Sequence, residues 1–153
     1  MKFISFILLL ILAQSCGSKR DSTDLQGAWS NCASDGYYLE MHIQDNQYRY
    51  VTNSNFISPW SEFELNGTTL TQFSKNTDTE IDTLEAELIF ISNNQIQIKY
   101  PNSKDSWVME RVIADVDISV ADAKLLEGLL ERAKNSKCND SIFAPEEFIY
   151  FQF

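Results

Sequence analysis

The sequence predicts an all-β fold: an eight-stranded antiparallel up-and-down barrel, followed by one helix and a short final strand. Three observations favour it. Long stretches alternate apolar with polar side chains, turn-forming residues separate these stretches, and only one segment shows helical periodicity. The short connections force antiparallel pairing, because parallel pairs need long crossovers. A meander of eight strands with one apolar face closes most simply into a barrel, which removes exposed strand edges.

Residues 1–15 have the order of a bacterial secretory signal peptide. Lys2 supplies a positive charge, and residues 3–12 form an apolar run too short to cross a bilayer. With Cys16 after it, the segment resembles the lipobox of bacterial lipoproteins, which implies that Cys16 is lipidated. Ordinary secretion with a free cysteine is the alternative. We expect a protein anchored in the cell envelope, at the periplasmic or surface face of the outer membrane because Gly17 rather than Asp follows the cysteine.

The remaining chain divides into a tether and one domain. Residues 17–24 are all non-apolar, so we expect residues 16–24 to form a flexible tether and residues 25–153 to form the barrel domain. The net charge of −10 becomes one unit more negative when Lys2 is removed. Such a charge argues against binding to nucleic acid or to anionic lipid surfaces. Membrane contact is expected through the lipid alone, and the protein is expected to be a monomer.

Eight strands are predicted, each ending where turn-forming residues begin. Asn66-Gly67, for example, is typical of a type I′ hairpin turn. The alternation in the second strand places Glu40 and His42 on a polar, outward face. The predicted strands lie near residues 25–33, 36–44, 47–53, 59–65, 68–74, 80–91, 95–100 and 106–113.

A helix is predicted after the eighth strand, with Ser119 and Asp122 as its capping box. Its apolar stripe should cover the outside of the barrel. The stripe consists of Val120, Ala123, Leu126, Leu130 and Ala133, widened by Leu125 and Leu129. Alternating aromatic residues at 146–153 predict the final strand.

This order of elements resembles the lipocalins. Gly27-x-Trp29 matches the motif that opens the first strand of that family, and Arg111 lies near the end of the eighth strand. The resemblance implies that Arg111 packs over Trp29, so that Gly27, Trp29 and Arg111 close the barrel floor. A guanidinium on an indole is worth about 0.5–2 kcal/mol. The resemblance also implies non-catalytic binding of a small apolar or amphipathic ligand.

Two cysteines remain if Cys16 carries lipid. Export favours a disulfide between Cys32 and Cys138, and the alternative is two unrelated buried thiols. Closing a loop of about 106 residues is worth roughly 4–5 kcal/mol in the chain-entropy model. Strand parity points Cys32 outward, where it can meet a residue that follows the helix.

No residues predict catalysis, a metal or a cofactor. The chain has a single histidine, His42, predicted to be at the surface, whereas a structural zinc site needs four ligands and a serine hydrolase needs a base beside its nucleophile. Glu62 with Glu64, and Glu85 with Glu87, are expected to form solvated strand faces. We therefore expect no catalytic or metal-binding residues and no cofactor.

Two functional hypotheses remain. The first is a ligand held inside the barrel by inward residues, which are alternatively plain core: Trp29, Tyr37, Leu39, Met41, Tyr48, Phe63, Leu88, Phe90, Ile98 and Trp107. The second is an envelope interaction or inhibitor protein with a filled barrel, which would use residues 53–59 with Phe56 and Ile57 exposed. An interior cavity of several hundred Å³ favours the first hypothesis, and a filled interior favours the second.

Overall fold

The structure is a computed structural model that describes residues 21–32, 36–75, 81–104, 106–136 and 138. Eight antiparallel strands form a closed barrel in sequence order, with β1 pairing β8. The predicted barrel and helix are confirmed, and only the ends of the elements differ. The elements are β1 (Gly27–Cys32), β2 (Tyr38–Gln44), β3 (Gln47–Thr52), β4 (Ser61–Asn66), β5 (Thr69–Lys75), β6 (Ile81–Ser92), β7 (Gln95–Lys99), β8 (Ser106–Arg111) and α1 (Asp122–Asn135).

The folded chain includes a short 3₁₀ turn, Ser22–Leu25, ahead of β1. Asp21 caps this turn, because its carboxylate accepts a hydrogen bond of 2.8 Å from the Thr23 N–H, and Leu25 is fully buried. The last residues of the segment that the sequence assigns to a tether are therefore ordered. The proposed signal peptide, Cys16 and the final strand at 146–153 lie outside the described residues.

The barrel interior holds the main apolar core, as the period of two in the strands predicts. The inward residues of β2 alternate with outward ones, and their partners across β1 and β3 continue the same face. The core residues are Leu25, Trp29, Leu39, Met41, Ile43, Tyr48, Tyr50, Phe63, Leu70, Ala86, Leu88, Ile96, Ile98 and Met109.

The helix α1 packs against the outside of the barrel, as expected, but its apolar stripe has a different centre. Leu125 and Leu129 are fully buried against Tyr38 and Val51, on the outer faces of β2 and β3. Ala123 of the predicted stripe is exposed. The sequence indicates a helical period, but it does not tell whether the row of Leu126 and Leu130 or the adjacent row of Leu125 and Leu129 contacts the barrel. The structure shows that the second row does.

The predicted capping box is wrong. The helix begins at Asp122 with Ala121 as its N-cap, and no side chain caps it. The Ser119 hydroxyl and backbone N–H instead donate to the Asp117 carboxylate, at 2.6 and 3.0 Å. This local turn competes with helix formation and keeps Ser119 outside α1.

The disulfide between Cys32 and Cys138 is confirmed, with Cα atoms 5.4 Å apart. It joins the end of β1 to the residues that follow α1. Together with the Leu125 and Leu129 contacts, it fixes both the middle and the far end of the helix to the barrel wall.

Candidate functional site

The residues that the lipocalin resemblance singles out, Gly27, Trp29 and Arg111, lie in contact with one another. The Arg111 guanidinium lies 4.2 Å from the centroid of the Trp29 ring, and Trp29 is completely buried. The Trp29 indole N–H donates to the Leu25 carbonyl at 2.7 Å, and Arg111 donates to the Gln26 carbonyl at 2.7 Å. Gly27 has a φ of +110°, and a Cβ there would lie 3.5 Å from Arg111. The predicted stacking of Arg111 on Trp29 is confirmed.

The upper part of the interior is crossed by a polar and aromatic bridge. Gln72 donates to the Tyr50 hydroxyl at 3.1 Å and accepts from the Tyr100 hydroxyl at 2.9 Å. Trp107 packs edge-on against both tyrosine rings, with centroids 6.2 Å away. Burial raises the pKa of both tyrosines, which keeps them neutral. These residues fill the space in which the first functional hypothesis places a ligand, so the interior is the filled one of the two alternatives.

Below this bridge, the interior leaves a cavity of only about 10 Å³. That is room for about one water molecule. The predicted ligand-lining residues Trp29, Leu39, Met41, Phe63, Leu88 and Ile98 are packed core, and Tyr37, Phe90 and Trp107 pack against it half-buried. Tyr48 also lines a larger space.

That larger space is a cleft in the barrel wall with a volume of about 890 Å³. It lies between the connection that precedes β4 and the edge formed by the end of β5 and the start of β6. We call it the side cleft. Its lining residues are Gln47, Tyr48, Tyr50, Phe56, Ser58, Pro59, Trp60, Ser61, Glu62, Glu64, Phe73, Ser74, Lys75 and Ile81.

The side cleft exists because β3 and β4 separate after two paired positions, Gln47 with Glu62 and Tyr48 with Ser61. Beyond these pairs, Ser58 satisfies both backbone groups of Tyr50: its N–H donates to the Tyr50 carbonyl, and its hydroxyl accepts from the Tyr50 N–H, each at 2.9 Å. The connection therefore stays on β3, and the wall opens toward β5.

The lining of the side cleft is amphipathic. Phe56 is 44% exposed and Ile81 is 60% exposed, whereas the Tyr48 and Tyr50 rings are nearly buried at its inner end. Burial, with the neighbouring Tyr50, raises the pKa of Tyr48 to about 12, so its hydroxyl stays neutral. The expected exposure of Phe56 is confirmed. Ile57 is instead half-buried against the cluster under α1.

A second group of polar residues lies buried between the barrel and α1, where the sequence predicted a solvated face. Glu40 and His42 are both completely buried. The Glu40 carboxylate accepts hydrogen bonds from Arg132 at 2.7 and 2.9 Å, from His42 Nε2 at 2.8 Å and from the Tyr38 hydroxyl at 2.9 Å. The surface assignment of Glu40 and His42 is therefore wrong, because α1 covers this part of the outer face.

The environment of Glu40 keeps it ionised. Burial alone would raise its pKa, but the hydrogen bonds from His42, Arg132 and Tyr38, together with the charge of Arg132, lower it to about 2. The carboxylate is thus a fixed anchor for Arg132. The signal that sequence reasoning missed is the position of Arg132, three residues after Leu129 on the same face of α1.

Arg49 connects the helix to the side cleft. Its guanidinium donates to the Ile118 carbonyl at 2.9 Å and to the Asp122 carboxylate at 3.2 Å, and it lies 4.6 Å from the centroid of the Trp60 ring. His42 Nδ1 and Arg49 Nε are buried and find no hydrogen-bond partner among the residues that the structure describes. The Arg49 side chain thus contacts both Trp60 in the wall of the side cleft and the residues at the start of α1.

Glu85 and Glu87 are exposed on β6, where they line a smaller space of about 350 Å³ and Glu87 pairs with Lys99 at 3.8 Å. Within the described ranges, no three His, Cys, Asp or Glu side chains gather in a way that suits a metal ion. Among the same residues, no helix combines the length and apolarity needed to cross a membrane.

No family model matches the chain, and comparison with curated proteins and with solved structures found no similar protein.

Proposed function

We propose that this chain is a lipid-anchored, non-catalytic binding protein of the lipocalin type, which holds one small amphipathic molecule in the side cleft. The observation that carries the proposal is the cleft itself. Its volume of about 890 Å³ lies in the range of small-molecule sites. The filled interior by itself favours the interaction hypothesis, so the cleft in the wall is the place where ligand binding is proposed.

The lining suits a molecule with an apolar tail and a polar head. Phe56, Phe73 and Ile81 offer apolar surface on opposite walls, and burying it against an alkyl chain contributes about 25 cal/mol per Å². The Tyr48 hydroxyl and the Glu62 and Glu64 carboxylates supply polar contacts beside this surface.

The proposal is tested by isothermal titration of purified Cys16→Ala protein, which lacks the proposed acylation site. The titrant is the non-ionic amphiphile dodecyl maltoside, kept below its micelle concentration. One molecule should bind, and the double variant Phe56→Ser/Phe73→Ser should bind about ten-fold more weakly. The matched control Ile91→Ser/Val108→Ser removes two exposed apolar side chains outside the cleft lining and should bind as the parent does.

Absence of binding by any single-chain amphiphile would refute this proposal. Equal weakening in the control variant would also refute it, because binding would then be non-specific. The packed interior favours the second candidate function in that case: an interaction module that contacts an envelope protein through Phe56 and its loop.

A further inference from the structure

We propose that the side cleft selects amphiphiles whose headgroup is an ammonium cation. The inference rests on the proposed function and adds the chemical class of the ligand. It is carried by the juxtaposition of aromatic rings and carboxylates in one cleft.

Neither Glu62 nor Glu64 lies directly opposite a cationic residue across the strands. Both project outward from β4, where Glu62 lies opposite Gln47 and Phe73, and Glu64 lies opposite Thr71. Both are exposed, and no ion pair joins either of them to another described residue. A cation bound here therefore meets carboxylates that the fold has not neutralised.

Lys75 is the one cationic side chain among the described residues that line the cleft. Lys75 follows Phe73 by two residues on the same face of β5. Because Phe73 lies opposite Glu62, Lys75 is a diagonal neighbour of Glu62, and Glu64 lies further from Lys75. Two carboxylates against this one ammonium leave a negative balance among the lining residues, because the Arg49 charge behind Trp60 is already paired with Asp122. An anionic headgroup would meet repulsion there, and a cationic one would not.

Aromatic rings supply the second part of a cation site. Ammonium groups are attracted to the faces of Trp, Tyr and Phe, and such rings next to carboxylates form cages for alkylated ammonium. The side cleft contains Tyr48, Tyr50, Phe56, Trp60 and Phe73. One face of the Trp60 ring is already taken by the Arg49 guanidinium, 4.6 Å from the ring centroid, and Tyr48 and Tyr50 are nearly buried, so Phe56 and Phe73 are the rings most open to a ligand.

The charge of the whole chain acts in the same direction. A net charge of −10 attracts cations and repels anions at distances beyond direct contact. The cleft carboxylates and the net charge of the chain therefore both favour a cationic headgroup, and the apolar walls would contact the alkyl chain.

The test compares four dodecyl amphiphiles in the same titration: dodecyltrimethylammonium, dodecylphosphocholine, dodecyl maltoside and dodecanoate. The trimethylammonium compound should bind about five-fold more tightly than the maltoside, and dodecanoate should bind most weakly. Dodecylphosphocholine binding as tightly as the cation points to a lipid headgroup as the source of the ammonium. Weaker binding points to a free cationic amphiphile.

Two double variants that remove the same amount of negative charge distinguish the effect of the cleft carboxylates from the effect of the overall charge of the protein. Glu62→Gln/Glu64→Gln should remove the preference for the cation, whereas Glu85→Gln/Glu87→Gln, two exposed carboxylates on β6, should retain it. Raising the salt concentration from about 50 to about 500 mM should reduce the preference in the parent. Equal affinity for cation and maltoside, or an equal loss in both variants, overturns the headgroup inference while the proposed function stands. Failure of all four compounds to bind overturns the proposed function.

Discussion

Arg132→Met should destabilise the protein far more strongly than a substitution at an exposed position of α1. The substitution keeps an unbranched side chain of similar length but leaves the Glu40 carboxylate completely buried without its cationic partner. Removing one member of a buried ion pair costs about 3–5 kcal/mol. We expect the lower end, about 3 kcal/mol, because His42 and Tyr38 still donate to Glu40.

The double variant Glu40→Gln/Arg132→Met should be more stable than Arg132→Met alone. Neutralising the stranded carboxylate removes most of its burial cost, so about 2 kcal/mol should be recovered. Lys124→Met is the matched control, because Lys124 is exposed on the same helix, and it should change stability by less than about 0.5 kcal/mol. Urea denaturation of the four proteins measures all of these differences.

The same pair predicts how stability depends on pH. The pKa of Glu40 is lowered from 4.5 to about 2 in the folded state, so the unfolded chain takes up a proton first as the pH falls. The stabilisation is complete well above pH 4.5 and is lost as the pH falls toward 2. At about 1.4 kcal/mol per pKa unit, this group contributes on the order of 3 kcal/mol.

In Glu40→Gln, the loss of stability between about pH 6 and about pH 2 should be smaller than in the parent by that amount. Parallel pH profiles for the parent and Glu40→Gln would refute the reasoning. An Arg132→Met variant as stable as Lys124→Met would refute it as well, since Glu40 would then not depend on Arg132.

Three further predictions concern the floor, the disulfide and the anchor. Arg111→Ala should destabilise the protein by about 1–3 kcal/mol through lost packing on Trp29. The control Lys99→Ala, at an exposed position, should change the stability by less than about 0.5 kcal/mol, and equal urea midpoints for the two variants would contradict the role of Arg111. Alkylation of the unfolded, unreduced protein should leave Cys32 and Cys138 unmodified, and alkylation of both thiols would contradict the disulfide. The double variant Cys32→Ser/Cys138→Ser should lower the free energy of unfolding by about 2–4 kcal/mol. Labelling cells with a fatty-acid probe should mark the parent but not Cys16→Ala, and equal labelling of both would exclude Cys16 as the acylated residue.

The barrel was predictable because strand alternation and turn residues are local signals. In β2, for example, the period of two assigns Leu39 and Met41 to the interior, and the structure agrees. The Gly27-x-Trp29 motif and the parity of Arg111 likewise placed the floor. Each of these inferences needs only the residues of one or two strands.

The covered outer face was not predictable in the same way. Parity puts Glu40 and His42 outside the barrel, but it does not tell which outward residues a helix later covers. An apolar pair on neighbouring outer faces, Tyr38 with Val51, marks the place where α1 packs. The side cleft depends on where β3 and β4 separate, and that separation is a tertiary feature without a periodic signal.

The most direct test of the side cleft as the binding site is isotope-filtered NMR of ¹³C-labelled protein with unlabelled dodecyltrimethylammonium. Intermolecular NOEs should connect the alkyl chain to Ile81, Phe56 and Phe73, which line the cleft. No NOEs should reach Leu88 or Ile96, which are buried in the barrel core. NOEs to Leu88 and Ile96 without any to Ile81 would place the ligand inside the barrel and contradict the account.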